Sequence, residues 1–207
     1  MFTGLIELSG CLESLTGDER GARARIGCGE LAAELSIGAS VAVDGVCLTV
    51  IRTGPGWFEV EISPETLGRT TLAGKTRGCA INLERPVRLS DRLGGHLVQG
   101  HVDGVGTVTE IVPEGDGRRA RVMAPETLRR YLVAKGSVAL DGVSLTIAAL
   151  HGAEFEVALI PHTLKATSLG EWRAASPVNI EVDVVAKYVE TLLTPYIAAG
   201  RDRKERG

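Results

Sequence analysis

Hydrophobic and polar positions alternate with a period of two along much of this chain. Val46, Leu48 and Val50 are interleaved with Cys47 and Thr49, and Val143, Leu145 and Ile147 with Ser144 and Thr146. That period places successive side chains on opposite faces of an extended strand. If the aliphatic residues face a core, Cys47 and Thr49 share the other face, as do Ser144 and Thr146. Asp44-Gly45 and Asp141-Gly142, just before these runs, are turn or bulge signals. Further strands are predicted over 4–12, 22–27, 57–62 and 80–85, and over 103–112, 119–123, 154–160 and 178–184. Glu30–Ile37 and Pro125–Val133 read as short helices, the second with Pro125 at a favoured first-turn position. About six short strands and one short helix in each half predict a small closed antiparallel barrel, twice over.

The last segment changes period. Val185, Tyr188, Val189, Leu192, Leu193, Tyr196 and Ile197 recur at helical spacing and make one apolar stripe. Pro195 is expected to end or kink this helix. The charged tail Arg201–Gly207 is expected to be disordered. The helix either packs on one half of the chain or serves as an oligomerisation element.

The two halves are copies. Ser40–Val50 and Ser137–Ile147 share eight of eleven residues, 97 positions apart. Two of the three differences exchange one apolar side chain for another; the third puts Ser144 where the first copy has Cys47. At the same offset Phe58–Leu67 matches Phe155–Leu164, and Asn82-Leu-Glu84 matches Asn179-Ile-Glu181. Near each start, Thr3-Gly-Leu5 resembles Asp103-Gly-Val105. Two repeats are too few for a solenoid, so two similar domains packed together are expected, over 1–97 and 98–185, with the helix and tail in 186–207.

Composition narrows the function classes. Glycine is 26 of 207 residues and aromatics only 4%, which favours short strands and tight turns over a helical bundle. A formal charge of −3 offers no electrostatic case for nucleic acid or an anionic membrane. No apolar run approaches the roughly 18 residues of a membrane span, and the start lacks a basic leader. Cys11, Cys28, Cys47 and Cys79 all lie in the first half without a C-x-x-C pair. They read as reduced thiols in the cytoplasm rather than as a disulfide framework or a zinc site.

Candidate chemistry follows the repeat. A free cysteine is usually a small buried hydrophobe, but the alternation places Cys47 opposite the aliphatic face and beside Thr49. His96 and His101 lie in the glycine-rich junction Gly94–Val102, where they are either structural or presented to a ligand. Their spacing does not make a metal site. His151 and His162 read as surface or loop residues. The Pro64-Glu-Thr66 and Pro161-His-Thr163 turns either only end a strand or line two equivalent pockets. Lys135 stands where the first copy has Gly38, and Asp183 where it has Pro86, so each adds a charge to one copy only.

With these residues assembled, the chain resembles the riboflavin synthase family of the alpha-chain type. The likeness covers nearly the whole length: Met1-Phe-Thr-Gly4, both core blocks, Gly94-Gly-His-Leu-Val-Gln-Gly-His101, Ile160–Leu164 and Asn179–Asp183. It implies an all-β fold of two tandem six-stranded Greek-key barrels with short helices and a C-terminal α-helix. It also implies a transferase without cofactor or metal. Two 6,7-dimethyl-8-ribityllumazine molecules at each site would dismutate to riboflavin and 5-amino-6-ribitylamino-uracil. A homotrimer assembled through the last helix is implied, its sites lying between barrels of neighbouring subunits. The first pocket would involve Gly4, Leu5, Ile6, Ser40, Cys47, Leu48, Thr49, Glu61, Ile62, Ser63, Pro64, Glu65, Thr66, Gly100, His101 and Val102. The second would involve Lys135, Ser144, Leu145, Thr146, Ala158, Leu159, Ile160, Pro161, His162 and Thr163. Cys47, His101, Ser144 and Asp183 are the candidates for catalytic influence. The rival reading is a non-catalytic lumazine- or flavin-binding protein of the same fold.

Overall fold

The computed structural model describes residues 1–204, with side chains through Pro195. Twelve strands form two closed barrels. The first takes β1 (Leu8–Asp18), β2 (Gly21–Gly27), β3 (Ser40–Val43), β4 (Val46–Gly54), β5 (Trp57–Ile62) and β6 (Ala80–Glu84). The second takes β7 (Gly104–Glu114), β8 (Gly117–Met123), β9 (Ser137–Leu140), β10 (Val143–His151), β11 (Glu154–Leu159) and β12 (Pro177–Val182). Around each barrel the neighbours run first, second, fifth, fourth, third, sixth, all antiparallel, which is a Greek-key order.

The alternation in the sequence is what closes these sheets. Val50, Phe58, Val60 and Leu83 are fully buried in the first barrel, and Ile147, Phe155, Val157 and Ile180 in the second. Each contributes on the order of 1.5–3 kcal/mol by leaving water. Register shifts after Leu12 and Val50, and after Val108 and Ile147, mark bulges at equivalent places in the two barrels. A bulge bends its strand and adds twist, which turns so short a sheet back on itself.

Several expected elements move. The strand expected from residue 4 starts at Leu8, because residues 3–7 are engaged at the junction described below. The expected helices at 30–37 and 125–133 are short 3-10 helices, Gly29–Glu34 and Glu126–Tyr131, and Pro125 sits at the N-cap of the second rather than inside it. The two proline turns open short helices, α1 (Pro64–Arg69) and α2 (Pro161–Ala166). The final helix, α3 (Val184–Lys204), runs through Pro195, since one missing N–H removes only one bond from the ladder. Backbone expected to be disordered from Arg201 is therefore helical to Lys204; residues 205–207 and the side chains of Tyr196 and Ile197 lie outside the described part.

The barrels meet on a pseudo-two-fold axis. Gly45 and Gly142 stand back to back, so close that a Cβ on Gly45 would lie 2.6 Å from the Gly142 nitrogen. Asn82 Nδ2 donates to the Asp141 carbonyl and Asn179 Nδ2 to the Asp44 carbonyl, both at 2.9 Å. Each asparagine Oδ1 accepts a backbone N–H from the other barrel's side, Ser168 at 2.7 Å and Thr71 at 2.8 Å. Asp44 and Asp141 in turn accept the N–H of Asn82 and Asn179, at 2.8 Å each. One position breaks the symmetry: Lys75 pairs with Asp44 at 2.6 Å, whereas Trp172, its repeat mate, donates Nε1–H to Asp141 at 3.2 Å.

Candidate active site at the barrel junction

Strands β4 and β10, which carry Cys47 and Ser144, leave directly from this axis. In β4, Val46, Leu48 and Val50 are buried, while Cys47 is half-buried and Thr49 exposed; in β10, Ser144 and Thr146 occupy the corresponding outward positions. Cys47 lies opposite Ala42 and Thr49 opposite Ser40; Ser144 lies opposite Ala139 and Thr146 opposite Ser137. Cys47 packs against a small cluster of Phe2, Ala42, Val98 and Ala139 and is half-buried, as Ser144 is.

Each of these strands is bonded to the lead-in segment of the other barrel. The Cys47 N–H donates to the Gly100 carbonyl, and the Ser144 N–H to the Gly4 carbonyl, both at 2.8 Å. Neither glycine has room for a side chain: a Cβ would stand 2.6 Å from Cys47 Cβ at Gly100 and 2.5 Å from Ser144 Cβ at Gly4. Both adopt left-handed backbone, at φ +80° and +77°, which glycine takes without strain. The structural equivalent of Thr3-Gly4 is thus Gln99-Gly100, and the sequence match to Asp103-Gly104 is superseded. Pocket membership shifts with it. Ile6 packs against the second barrel's core and Val102 against the first barrel's. Gly4 and Ile6, expected at the first pocket, lie on the second barrel.

His96 is the residue the sequence reading undervalued. Its Nδ1 stands 2.6 Å from Ser144 Oγ, its Nε2 is buried without a partner, and the ring is 8% exposed. Burial lowers its pKa and the Asp183 carboxylate opposes that, so the balance favours the neutral imidazole. Its signal in the sequence is its place in the glycine-rich junction, five residues before His101. Asp183 accepts the Val185 N–H at 2.9 Å and so caps α3. His101 is exposed, with its N–H on Glu181 at 3.0 Å.

The remaining candidates divide. Leu5 and Ser40 line one cleft of about 610 Å³ with Thr3, Glu84 and Arg85. Glu61, Ile62, Ser63 and Pro64 line a separate one of about 840 Å³ with Arg23, which pairs with Glu61 at 2.9 Å. Cys47 lines neither. The side chains of Leu48, Ile62 and Leu159 are in the cores, leaving only their backbone to meet a ligand, and Leu145 packs partly inward. Ser63 Oγ accepts the Thr66 N–H at 3.1 Å and caps α1; Ile160, its mate, cannot cap α2. Glu65 is tied to Arg69 on the surface of α1. Ala158, Ile160, Pro161 and His162 are exposed and Thr163 half-buried beside them. Lys135 is exposed at φ +67°, a conformation its mate Gly38 adopts without strain at +88°.

A lumazine binding domain matches twice, over residues 3–86 and 99–183, the register set by the two lead-in glycines. The chain belongs to the riboflavin synthase family. It is 45% identical to the riboflavin synthase of Mycobacterium tuberculosis (strain ATCC 25618 / H37Rv) over 201 residues, covering 93% of this chain and 98% of that one. Identity to the Brucella abortus (strain 2308) riboflavin synthase is 43% over 197 residues, with the same coverage. Among solved structures, LumP complexed with riboflavin superposes with a TM-score of 0.83 at 24% identity, over 88% of this chain and 99% of that one. LumP complexed with 6,7-dimethyl-8-(1'-D-ribityl) lumazine gives 0.81 at 23%, with equal coverage. At that identity the superpositions establish the shared fold.

Proposed function

We propose that this chain joins two 6,7-dimethyl-8-ribityllumazine molecules bound on unequal copies of one barrel. Riboflavin and 5-amino-6-ribitylamino-uracil result. The atoms of the two products sum to those of two substrates, so no co-reactant is consumed. One substrate gives up a proton from its 7-methyl group, and the resulting carbanion adds to its partner; the other accepts a nucleophile at C7. The four-carbon unit then leaves its first ring. The observation that carries this reading is a thiol and a histidine-bonded hydroxyl at the same register of two matched barrels. Opposite tasks on identical molecules require unlike surroundings, and holding the pair face to face removes several kcal/mol of the barrier.

His96 and Ser144 suit the proton transfer: a neutral imidazole accepts a proton through or beside the hydroxyl. Cys47 edges the other pocket, with His101 and Asp183 close to the reacting rings. The chain then divides into lumazine-binding barrels over 1–97 and 98–185 and an assembly segment over 186–207. A homotrimer is supported by the way α3 is held. Its polar side is tied to its own barrel, Lys187 to Asp103 at 2.7 Å and Glu190 to Arg130 at 2.9 Å. Val185, Tyr188, Val189, Leu192 and Leu193 are left outside, each about half exposed or more, and a second and third copy of the helix would cover them. The free thiols of all four cysteines suit a reducing cytoplasm. No helix among the described residues is long and apolar enough to cross a membrane.

Incubation with 6,7-dimethyl-8-ribityllumazine tests the activity: lumazine loss should match riboflavin appearance two to one. A retained ligand without turnover would support the non-catalytic reading instead. Truncation after Val185 should abolish the trimer and most activity; an active trimeric truncate would refute the helix's role.

A further inference from the structure

Two buried glutamates stand outside the chemistry, yet reach both reactive strands. Glu84, at the end of β6, accepts the Thr3 N–H and hydroxyl at 2.7 Å each and the Gly4 N–H at 3.0 Å. Glu181, on β12 at the matching position, accepts the N–H groups of Gln99, Gly100 and His101 at 2.6, 2.9 and 3.0 Å. Only 4% and 3% of these side chains are exposed. A surface glutamate would serve as well if the lead-in segments needed only a solvated partner. Burial instead makes each carboxylate costly to hold, and burial is what raises its pKa against the bound N–H groups.

What each glutamate holds continues across the axis. The carbonyl of clamped Gly4 takes the Ser144 N–H of the second barrel, and that of clamped Gly100 takes the Cys47 N–H of the first. The contact at each crossing is too close for any side chain but hydrogen. Resting on the riboflavin synthase reading, we infer that Glu84 and Glu181 are cross-barrel positioning residues. Glu84 of the first barrel sets the hydroxyl of Ser144 against His96, and Glu181 of the second sets the thiol of Cys47 together with the His101 backbone. Each pocket in a chain thereby depends on a carboxylate from the other repeat. Replacement of either by glutamine puts an amide N–H against backbone N–H groups and frees the loop.

Double-mutant cycles in the full-length protein test this pattern. Glu181→Gln and Glu84→Gln are each combined with Cys47→Ala and with Ser144→Ala. Turnover of 6,7-dimethyl-8-ribityllumazine and riboflavin affinity by fluorescence quenching are both measured. Each single glutamine variant should lower kcat by roughly tenfold to a hundredfold, the scale of a small misplacement. Glu181→Gln should cost less than threefold more on the Cys47→Ala background, and Glu84→Gln likewise on Ser144→Ala. The two exchanged pairings should multiply. Uniform multiplication in all four cycles, or parental turnover in the single variants, would overturn the inference, since a merely structural role shows no preference for the crossed pairs. If the glutamine variants do not fold, Glu84→Asp and Glu181→Asp enter the same cycles and are judged by the same pattern. A parent that binds riboflavin but converts no lumazine would end the enzyme reading; the cycles in affinity would then still uphold or overturn the clamps.

Discussion

The first and second barrels share strand order, bulges and most axis contacts, yet most of their aligned side chains differ. Cys47 corresponds to Ser144, Lys75 to Trp172, Gly38 to Lys135, and the cap Ser63 to Ile160. Positions that meet across the axis stayed alike: Asp44 and Asp141, Gly45 and Gly142, Asn82 and Asn179. A contact that is its own mirror image is spoiled by changing one side. Positions off the axis are free of that constraint, and Lys75 against Trp172 shows that even an axis aspartate accepts unlike partners.

The largest expected effect tests the one asymmetry on the axis. Lys75→Met leaves the buried Asp44 without its counter-charge and should cost about 3–5 kcal/mol of stability, the scale for breaking a buried ion pair. Trp172→Phe removes a single N–H from Asp141 and should cost roughly 1–3 kcal/mol. Equal losses in urea denaturation would show that the lysine is not what balances the axis.

Next come the two reactive positions. Ser144→Ala and His96→Gln should each lower kcat by about 10²-fold, the low end for general acid–base catalysis. The double variant should be little worse than either, and Cys47→Ser should cost less. Independent, multiplying losses would separate His96 from Ser144.

Asp141 should make stability depend on pH. Burial first, and then the neighbouring Asp44 charge, push its carboxyl up to about 7, against the opposing pull of Lys75 and the N–H groups of Asn179 and Trp172. The folded state therefore binds a proton more tightly than the unfolded chain. Its contribution to stability should be present at acid pH and be lost as pH rises from about 4 to about 7. Melting temperatures across that range should fall more steeply in the parent than in Asp141→Asn; parallel curves would assign the proton elsewhere.

The smallest effect concerns Lys135. A lysine in left-handed backbone costs roughly 1–2 kcal/mol relative to glycine, so Lys135→Gly should leave stability level or raised. If the side chain serves the second pocket, turnover nevertheless falls. Unchanged turnover would reduce Lys135 to a surface residue that the second copy tolerates.

Much of this was legible in the chain itself. The period of two around Val46–Val50 and Val143–Ile147 assigned core and outward faces correctly, because side-chain direction in a strand is a local property. The 97-residue echo announced two like domains, and Cys47 against Ser144 stood out as their chemical difference. Short turns were less legible: 3-10 and α geometry at Gly29–Glu34 and Pro64–Arg69 depend on which neighbours take the leftover N–H groups. The lead-in segments were misread in register, since Gly4 and Gly100 have no side chains to align and are defined only by what they touch.

Sequence alone thus determined the two barrels, their repeat and the thiol and hydroxyl by which the copies differ, all of which follow from local periodicity and identity. Tertiary structure decided the crossing. That Gly4 meets Ser144, Gly100 meets Cys47, and His96 meets Ser144 rests on contacts between residues 48 to more than 130 positions apart, such as His96 to Ser144 and Asn179 to Asp44. Such contacts form only when two closed barrels bring their turns onto a common axis, and no local pattern records where a closed sheet will place its ends.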